Sequence, residues 1–277
     1  MRNIDCLTIK EEIKKLFIKA AVFLPDDVTE LIKEAEKAES GKTAKSILGK
    51  IIENSAYAQK AALPICQDTG MAFVFAEVGQ EVHVTGGCFE DAINGGVSAA
   101  YTEGYLRKSV VTPLDRINTG DNTPAVIYTK IIPGDKIKLF VLPKGFGSEN
   151  MSRLAMLDPS AGKGDIINFV TSAVKEAGGR PCPPLIIGVG IGGSFDYAPF
   201  LAKKALTRTG ANPDAALADL EGEILKSVNE TKVGAMGLGG DITALKVAVE
   251  AYPTHIASLP VAVNISCHAT RHAYAEI

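Results

Sequence analysis

Five cysteines are spread over 277 residues, and an odd number with none in a close pair fits neither a disulfide framework nor a zinc ribbon. If they matter, they matter as thiolates. Three sit in polar or rigid company. Cys66 lies in Pro64-Ile65-Cys66-Gln67-Asp68-Thr69-Gly70, and a turn so crowded with polar groups is costly to bury without a purpose. Cys182 lies in Arg180-Pro181-Cys182-Pro183-Pro184, where three prolines fix the backbone and remove amide donors, as suits a ligand held in place before a metal arrives. Cys267 follows an apolar run and is flanked by His255, His268 and His272, three of the four histidines in the chain. Each has a plainer reading: a small buried thiol ending a helix, a rigid connector, solvated surface imidazoles. Cys6 and Cys88 lack such polar neighbours and read as structural.

Three thiolates can hold a cubane iron–sulfur cluster and leave one iron without a protein ligand, free to bind substrate oxygens as a Lewis acid. A zinc site more often brings two ligands within a few residues of each other. The rival motif is Gly188-Val189-Gly190-Ile191-Gly192-Gly193, which has the glycine spacing of a dinucleotide-binding turn after an apolar strand. The acidic residue such a unit needs is misplaced, because Asp214 follows Asn212-Pro213 at the start of a helical segment. These glycines are instead expected to let the backbone pass close to a cluster or substrate, with amides exposed to a bound carboxylate.

The elements that must position these residues form an α/β chain with a helical N-terminal region, about residues 1–62, followed by mixed β-sheets flanked by helices. Helices are expected over Ile9–Ala21, Val28–Ala38 and Thr43–Ala61, the second opened by Asp27 with Glu30 three residues on. Met71–Val78 and Glu81–Thr85 read as one strand pair, and Ala125–Ile131 with Lys136–Leu142 as another across Pro133-Gly134-Asp135. Strands joined by such tight turns are expected to be antiparallel. Between the pairs, Phe89–Lys108 has helical spacing. Helices over Gly164–Ala177, Ala198–Leu206 and Asp214–Val228 and strands over Leu185–Val189, Thr243–Glu250 and Val261–Ile265 complete the reading, with no repeat and no boundary in a single domain, 1–277.

Composition excludes several classes. With 46% apolar and 22% charged residues the chain can bury a large core. Its net charge of −3 and scattered basic residues offer nothing to a nucleic-acid backbone. The apolar run Leu16–Leu24 is interrupted by Lys19 and followed by no cleavage site, so a cytoplasmic protein is expected. No run reaches the roughly 18 apolar residues of a membrane span.

Taken together, Gly41-Lys42-Thr43-Ala44, the Pro64–Gly70 motif, Leu106-Arg107-Lys108-Ser109, Gly147-Ser148-Glu149-Asn150, Cys182-Pro183-Pro184, Gly188–Gly193, and His255-Ile256-Ala257-Ser258-Leu259-Pro260 through Cys267-His268-Ala269 are specific. Over essentially its whole length the chain resembles the α subunit, or N-terminal catalytic domain, of the class I iron–sulfur hydro-lyases, class I fumarate hydratase and L-tartrate dehydratase. The resemblance implies a [4Fe–4S] cluster on Cys66, Cys182 and Cys267. It implies Gln67, Asp68 and Gly147 at the substrate, Arg107 on one carboxylate, and His255 at the hydroxyl-bearing end. A guanidinium can hold a carboxylate through two parallel hydrogen bonds, and a histidine can exchange a proton near neutral pH.

Asp68 and His255 are thus the expected catalytic groups, with Asp68 paired in the family to a threonine of a separate C-terminal domain. The chain ends ten residues after Cys267, so a separately encoded β subunit, and a hetero-oligomer, are expected. The expected reaction is the reversible hydration of fumarate to (S)-malate, with L(+)-tartrate dehydration to oxaloacetate as the alternative within the family. A cluster-binding protein without catalysis is the alternative of another class. Phe146 departs from the family pattern, which has a third glycine there, and is expected to narrow the substrate loop.

Overall fold

A computed structural model describes residues 1–277. In chain order the elements are β1 (Arg2–Asp5), α1 (Cys6–Val22), α2 (Asp26–Ala38), α3 (Lys42–Ala61), β2 (Met71–Gly79), β3 (Val82–Thr85), α4 (Phe89–Glu103), β4 (Val126–Ile132), β5 (Ile137–Lys144), α5 (Phe146–Glu149), β6 (Arg153–Leu157), α6 (Lys163–Ala177), β7 (Leu185–Gly192), α7 (Tyr197–Ala205), α8 (Ala215–Glu230), β8 (Ala244–Tyr252), β9 (Leu259–Ser266) and β10 (Ala273–Glu276). The mixed α/β class expected from the sequence is the class observed. No helix is long and apolar enough to cross a membrane. The chain gathers into two compact units, one of residues 1–25, 55–146 and 271–277, the other of 26–54 and 147–270.

In the first unit, Asp5 accepts a hydrogen bond from the Leu7 amide and so caps α1. The helix buries Ile9, Ile13, Leu16, Phe17 and Ala20, spaced three and four apart on one face, against α4 and a sheet of order β10-β5-β2-β4. The two expected strand pairs do not form. β2 lies between β4, to which it is parallel, and β5, to which it is antiparallel, while β3 pairs in parallel with β1. The cause is burial: Ala72, Phe73 and Val74 are consecutive buried residues, so β2 hides both faces and takes a central place with a neighbour on each side.

In the second unit the sheet order is β6-β9-β7-β8. β7 is parallel to β8 and antiparallel to β9. Side chains alternate across β7. Leu185, Ile187 and Val189 pack with Val170 and Val174 of α6 and Ile224 and Val228 of α8. The intervening glycines face α7: a Cβ on Gly188 would lie 2.0 Å from the Ala202 carbonyl oxygen, and one on Gly190 equally near that of Ala198. Their need for glycine is thus met by helix packing, which corrects the expectation that these positions serve a cluster or substrate.

Candidate functional site

The residues singled out in the sequence fall into six segments: Cys66–Asp68 and Arg107 in the first unit, and Gly147, Cys182, His255 and Cys267 in the second. In the first unit, the Ile65 amide donates to the Ala21 carbonyl at the end of α1 and so fixes the start of the Cys66 turn. Cys66 is a free, partly exposed thiol and Gln67 is exposed. Asp68 Oδ1 accepts the Gly70 amide at 2.9 Å and its Oδ2 accepts the Phe146 amide at 2.9 Å. The backbone itself thus aims this carboxylate. Gly145 stands close beside it, since a Cβ there would come within 3.1 Å of Oδ2.

The turn rests on buried side chains from distant parts of the chain. The Tyr101 hydroxyl, on α4, reaches the Thr69 and Gly70 carbonyls at 2.9 and 2.8 Å, and burial pushes its pKa upward. Asn122 is fully buried; its Nδ2 donates to Gly70 O at 3.2 Å, and its Oδ1 accepts the Ser109 and Val110 amides. Thr69 Oγ1 donates to the Arg107 carbonyl at 2.9 Å. These bonds join the Cys66 turn to the segment bearing Arg107, whose side chain is exposed.

Arg107 is not on a helix. α4 ends at Glu103, where the expected helix to Lys108 breaks, because Tyr105 adopts φ 52° and the Leu106 amide closes back on the Tyr101 carbonyl. This is the Schellman closure, with a tyrosine in the left-handed position where glycine is usual.

In the second unit, Cys182 is exposed and itself has φ 54°. Its amide donates to Gly179 O at 3.1 Å, and Arg180 closes the end of α6 through bonds to the Glu176 and Ala177 carbonyls. The Cys182 carbonyl meets both the amide and ring Nδ1 of His268, at 3.3 and 3.0 Å. Since His268 follows Cys267, the two thiol-bearing turns of this unit are joined. The Cys267 carbonyl is held by Thr270 Oγ1 at 2.7 Å.

His255 lies exposed in the loop between β8 and β9. The Ala257 amide donates to its Nδ1 at 3.2 Å, which leaves Nε2 to carry the proton of the neutral ring. Gly147 is exposed in α5, and the nearest atom to a Cβ built there is Arg180 O at 4.0 Å, so space does not demand glycine. Phe146 is 40% exposed and acts through its backbone, not its ring, on Asp68.

None of the five cysteines is in a disulfide. No group of three His, Cys, Asp or Glu side chains is gathered closely enough to hold a single metal ion. Cys66, Cys182 and Cys267 each lie outside helix and strand, solvent-accessible and outside any disulfide, so each thiol could serve as a thiolate ligand.

Sequence reasoning did not single out Tyr101, Asn122 or Arg271. Asn122 carries a faint signal in Asp121-Asn122-Thr123-Pro124, which resembles an ordinary turn.

A family model described as fumarate hydratase (fumerase) matches residues 10–276. The chain is 43% identical over 279 residues to the putative L(+)-tartrate dehydratase subunit alpha of Methanocaldococcus jannaschii, an alignment covering 98% of each. To the L(+)-tartrate dehydratase subunit alpha of Escherichia coli K12 it is 30% identical over 254 residues, covering 90% of this chain and 84% of the relative. The Shigella sonnei protein described in the same words matches to the same extent.

Proposed function

Because the chain belongs to the fumarate hydratase (fumerase) family of hydro-lyases, we propose that it is the α subunit of an iron–sulfur enzyme that reversibly hydrates fumarate to (S)-malate. The observation that carries this reading is the Asp68 carboxylate, aimed by the Gly70 and Phe146 amides from a turn that also bears a free thiol at Cys66 and an exposed amide at Gln67.

Cys66, Cys182 and Cys267 hold the cluster in this reading. When bound, a [4Fe–4S] cluster with one iron free of protein ligands supplies a Lewis acid for substrate oxygens. The residues of this chain do the rest that falls to it. Arg107 binds a substrate carboxylate through its fork of N–H donors, and Gln67 and the Gly147 backbone orient the dicarboxylate. His255 presents Nε2–H to the hydroxyl-bearing end. Asp68 belongs to the base machinery and, with both oxygens already accepting amides, keeps its remaining lone pairs for the group that moves the carbon-bound proton. That group, with further cationic contacts to substrate, comes from a β subunit in a hetero-oligomer.

L(+)-tartrate is the second reading, favoured by the names of the relatives above. One experiment tests both: the chain and its β partner are purified together without oxygen and assayed on malate, fumarate and tartrate. Turnover of malate and fumarate is expected, and turnover of tartrate alone overturns the choice of substrate. Replacing each cysteine by alanine is expected to lower bound iron at positions 66, 182 and 267 and not at 6 or 88; unchanged iron in Cys182→Ala removes that ligand.

A further inference from the structure

Arg271 is the largest fully buried side chain of the protein, at 1% exposure. Its Nη2 donates to the Asp68 carbonyl at 2.7 Å, and its Nε and Nη1 meet no protein acceptor. A buried guanidinium with a single neutral partner is expensive, because a desolvated charge is ordinarily offset by an ion pair or a full set of hydrogen bonds. Such an exception calls for an explanation in function or in strain. The one bond it makes goes to the backbone of Asp68, not to that residue's carboxylate, whose oxygens accept the Gly70 and Phe146 amides.

The surroundings give the arrangement a meaning. Asp68 is held at three points, with Oδ1 on the Gly70 amide, Oδ2 on the Phe146 amide and the main-chain oxygen on Arg271. The next two carbonyls, of Thr69 and Gly70, are both taken by Tyr101 Oη. Three consecutive carbonyl oxygens are therefore fixed by three buried side chains, Tyr101 and Asn122 sharing that of Gly70, and the one nearest Cys66 is held by Arg271.

We propose that Arg271 is a positioning residue: its bond to the Asp68 carbonyl sets the orientation of the Cys66–Gly70 turn while leaving the Asp68 carboxylate to its amide partners and to the reaction. The inference rests on the reading of Asp68 as part of the base machinery, and the test separates the two.

Amide hydrogen exchange is measured on the full metal-free chain and turnover on the chain joined to its β subunit, for Arg271→Met, Arg271→Lys and Asp68→Asn. In Arg271→Met the amides of Gly70 and Phe146 are expected to exchange at least about tenfold faster, while the β2 and β5 amides keep their rates. Its kcat is expected to fall about 100-fold, the cost of misplacing a catalytic group by roughly an ångström, with KM changed by no more than about threefold. Lysine, which can still reach a carbonyl, is expected to recover most of both losses.

Unchanged exchange at Gly70 and Phe146 overturns the proposal, as does a uniform acceleration through the whole unit, which marks lost stability alone. If Arg271→Met does not fold, Arg271→Lys decides: a wild-type exchange pattern with wild-type kcat supports positioning through the carbonyl, and a 100-fold loss despite that pattern overturns it, on the same roughly ångström-scale argument. Wild-type turnover in Asp68→Asn removes the reading of Asp68 and leaves the exchange data to judge Arg271.

Discussion

The turn bearing Cys66 and the turn bearing Cys182 are fixed by different means. In the first unit, three buried side chains from α4, the 105–125 segment and the chain's last residues, Tyr101, Asn122 and Arg271, hold successive backbone groups of residues 68–70. In the second, the backbone does most of the fixing: prolines flank the cysteine, its amide closes on Gly179, the Pro183 carbonyl takes the Met236 amide, and the His268 amide meets its carbonyl. A turn held by distant side chains can be aimed finely but depends on every one of them. A turn held by its own chain tolerates loss of any one side chain. On the function proposed above, the first suits the Asp68 carboxylate and the second a ligand thiol.

This contrast can be broken most easily at the glycines. Gly70 has φ +83°, and a Cβ there would lie 2.7 Å from the Lys144 amide nitrogen and 2.8 Å from the Pro143 carbonyl carbon. Gly70→Ala is expected to destabilise by about 3 kcal/mol or more, strain and overpacking combined, as read by urea unfolding. A loss under about 1 kcal/mol would show that the turn is softer than its bonds suggest. Asn122→Ala comes next, at about 2 kcal/mol, since it strands the Ser109 and Val110 amides and leaves the Gly70 carbonyl to Tyr101 alone.

In the second unit, His268→Ala removes the ring contact to Cys182 O but keeps the amide bond, so thermal unfolding should register no more than about 1 kcal/mol. An equal effect at Asn122 and His268 would erase the distinction. Gly147→Ala should stay within about 0.5 kcal/mol of wild type, so that any rise in KM can be read as contact with substrate.

The smallest effect is one of pH. The Lys232 ammonium, with the Ser40 hydroxyl, holds the Asp241 carboxyl well below the usual carboxylate range. A depressed folded-state pKa stabilises above the unfolded value of about 4 and loses that contribution as pH falls through the folded value. Asp241→Asn should therefore melt slightly below wild type at neutral pH, the two converging in strong acid; a gap that widens on acidification contradicts this.

Much of this arrangement is legible in the residues themselves. Helical spacing marks α3, α6 and α8, and predominantly apolar runs mark β7 and β9. Partner choice is not legible, because β2 finds β4 some fifty residues away and nothing local distinguishes that pairing from a hairpin. β1, β6 and β10 are four or five residues long, too short for alternation to register. Among the candidate site residues, Cys66, Asp68, Cys182 and Cys267 stand out by type, since thiols and carboxylates among prolines and glycines are conspicuous. Arg271 is hidden by its type: an arginine in a polar tail reads as solvated, and only the fold reveals that it is buried.

The near contact of Gly188 and Gly190 with the carbonyls of α7 also bears on how the second unit comes apart. At those two positions strand and helix meet backbone to backbone, with the Leu201 and Leu206 side chains packed alongside. α7 is therefore expected to stay with β7 as one cooperative foldon, the amides of the two exchanging together when hydrogen exchange is measured.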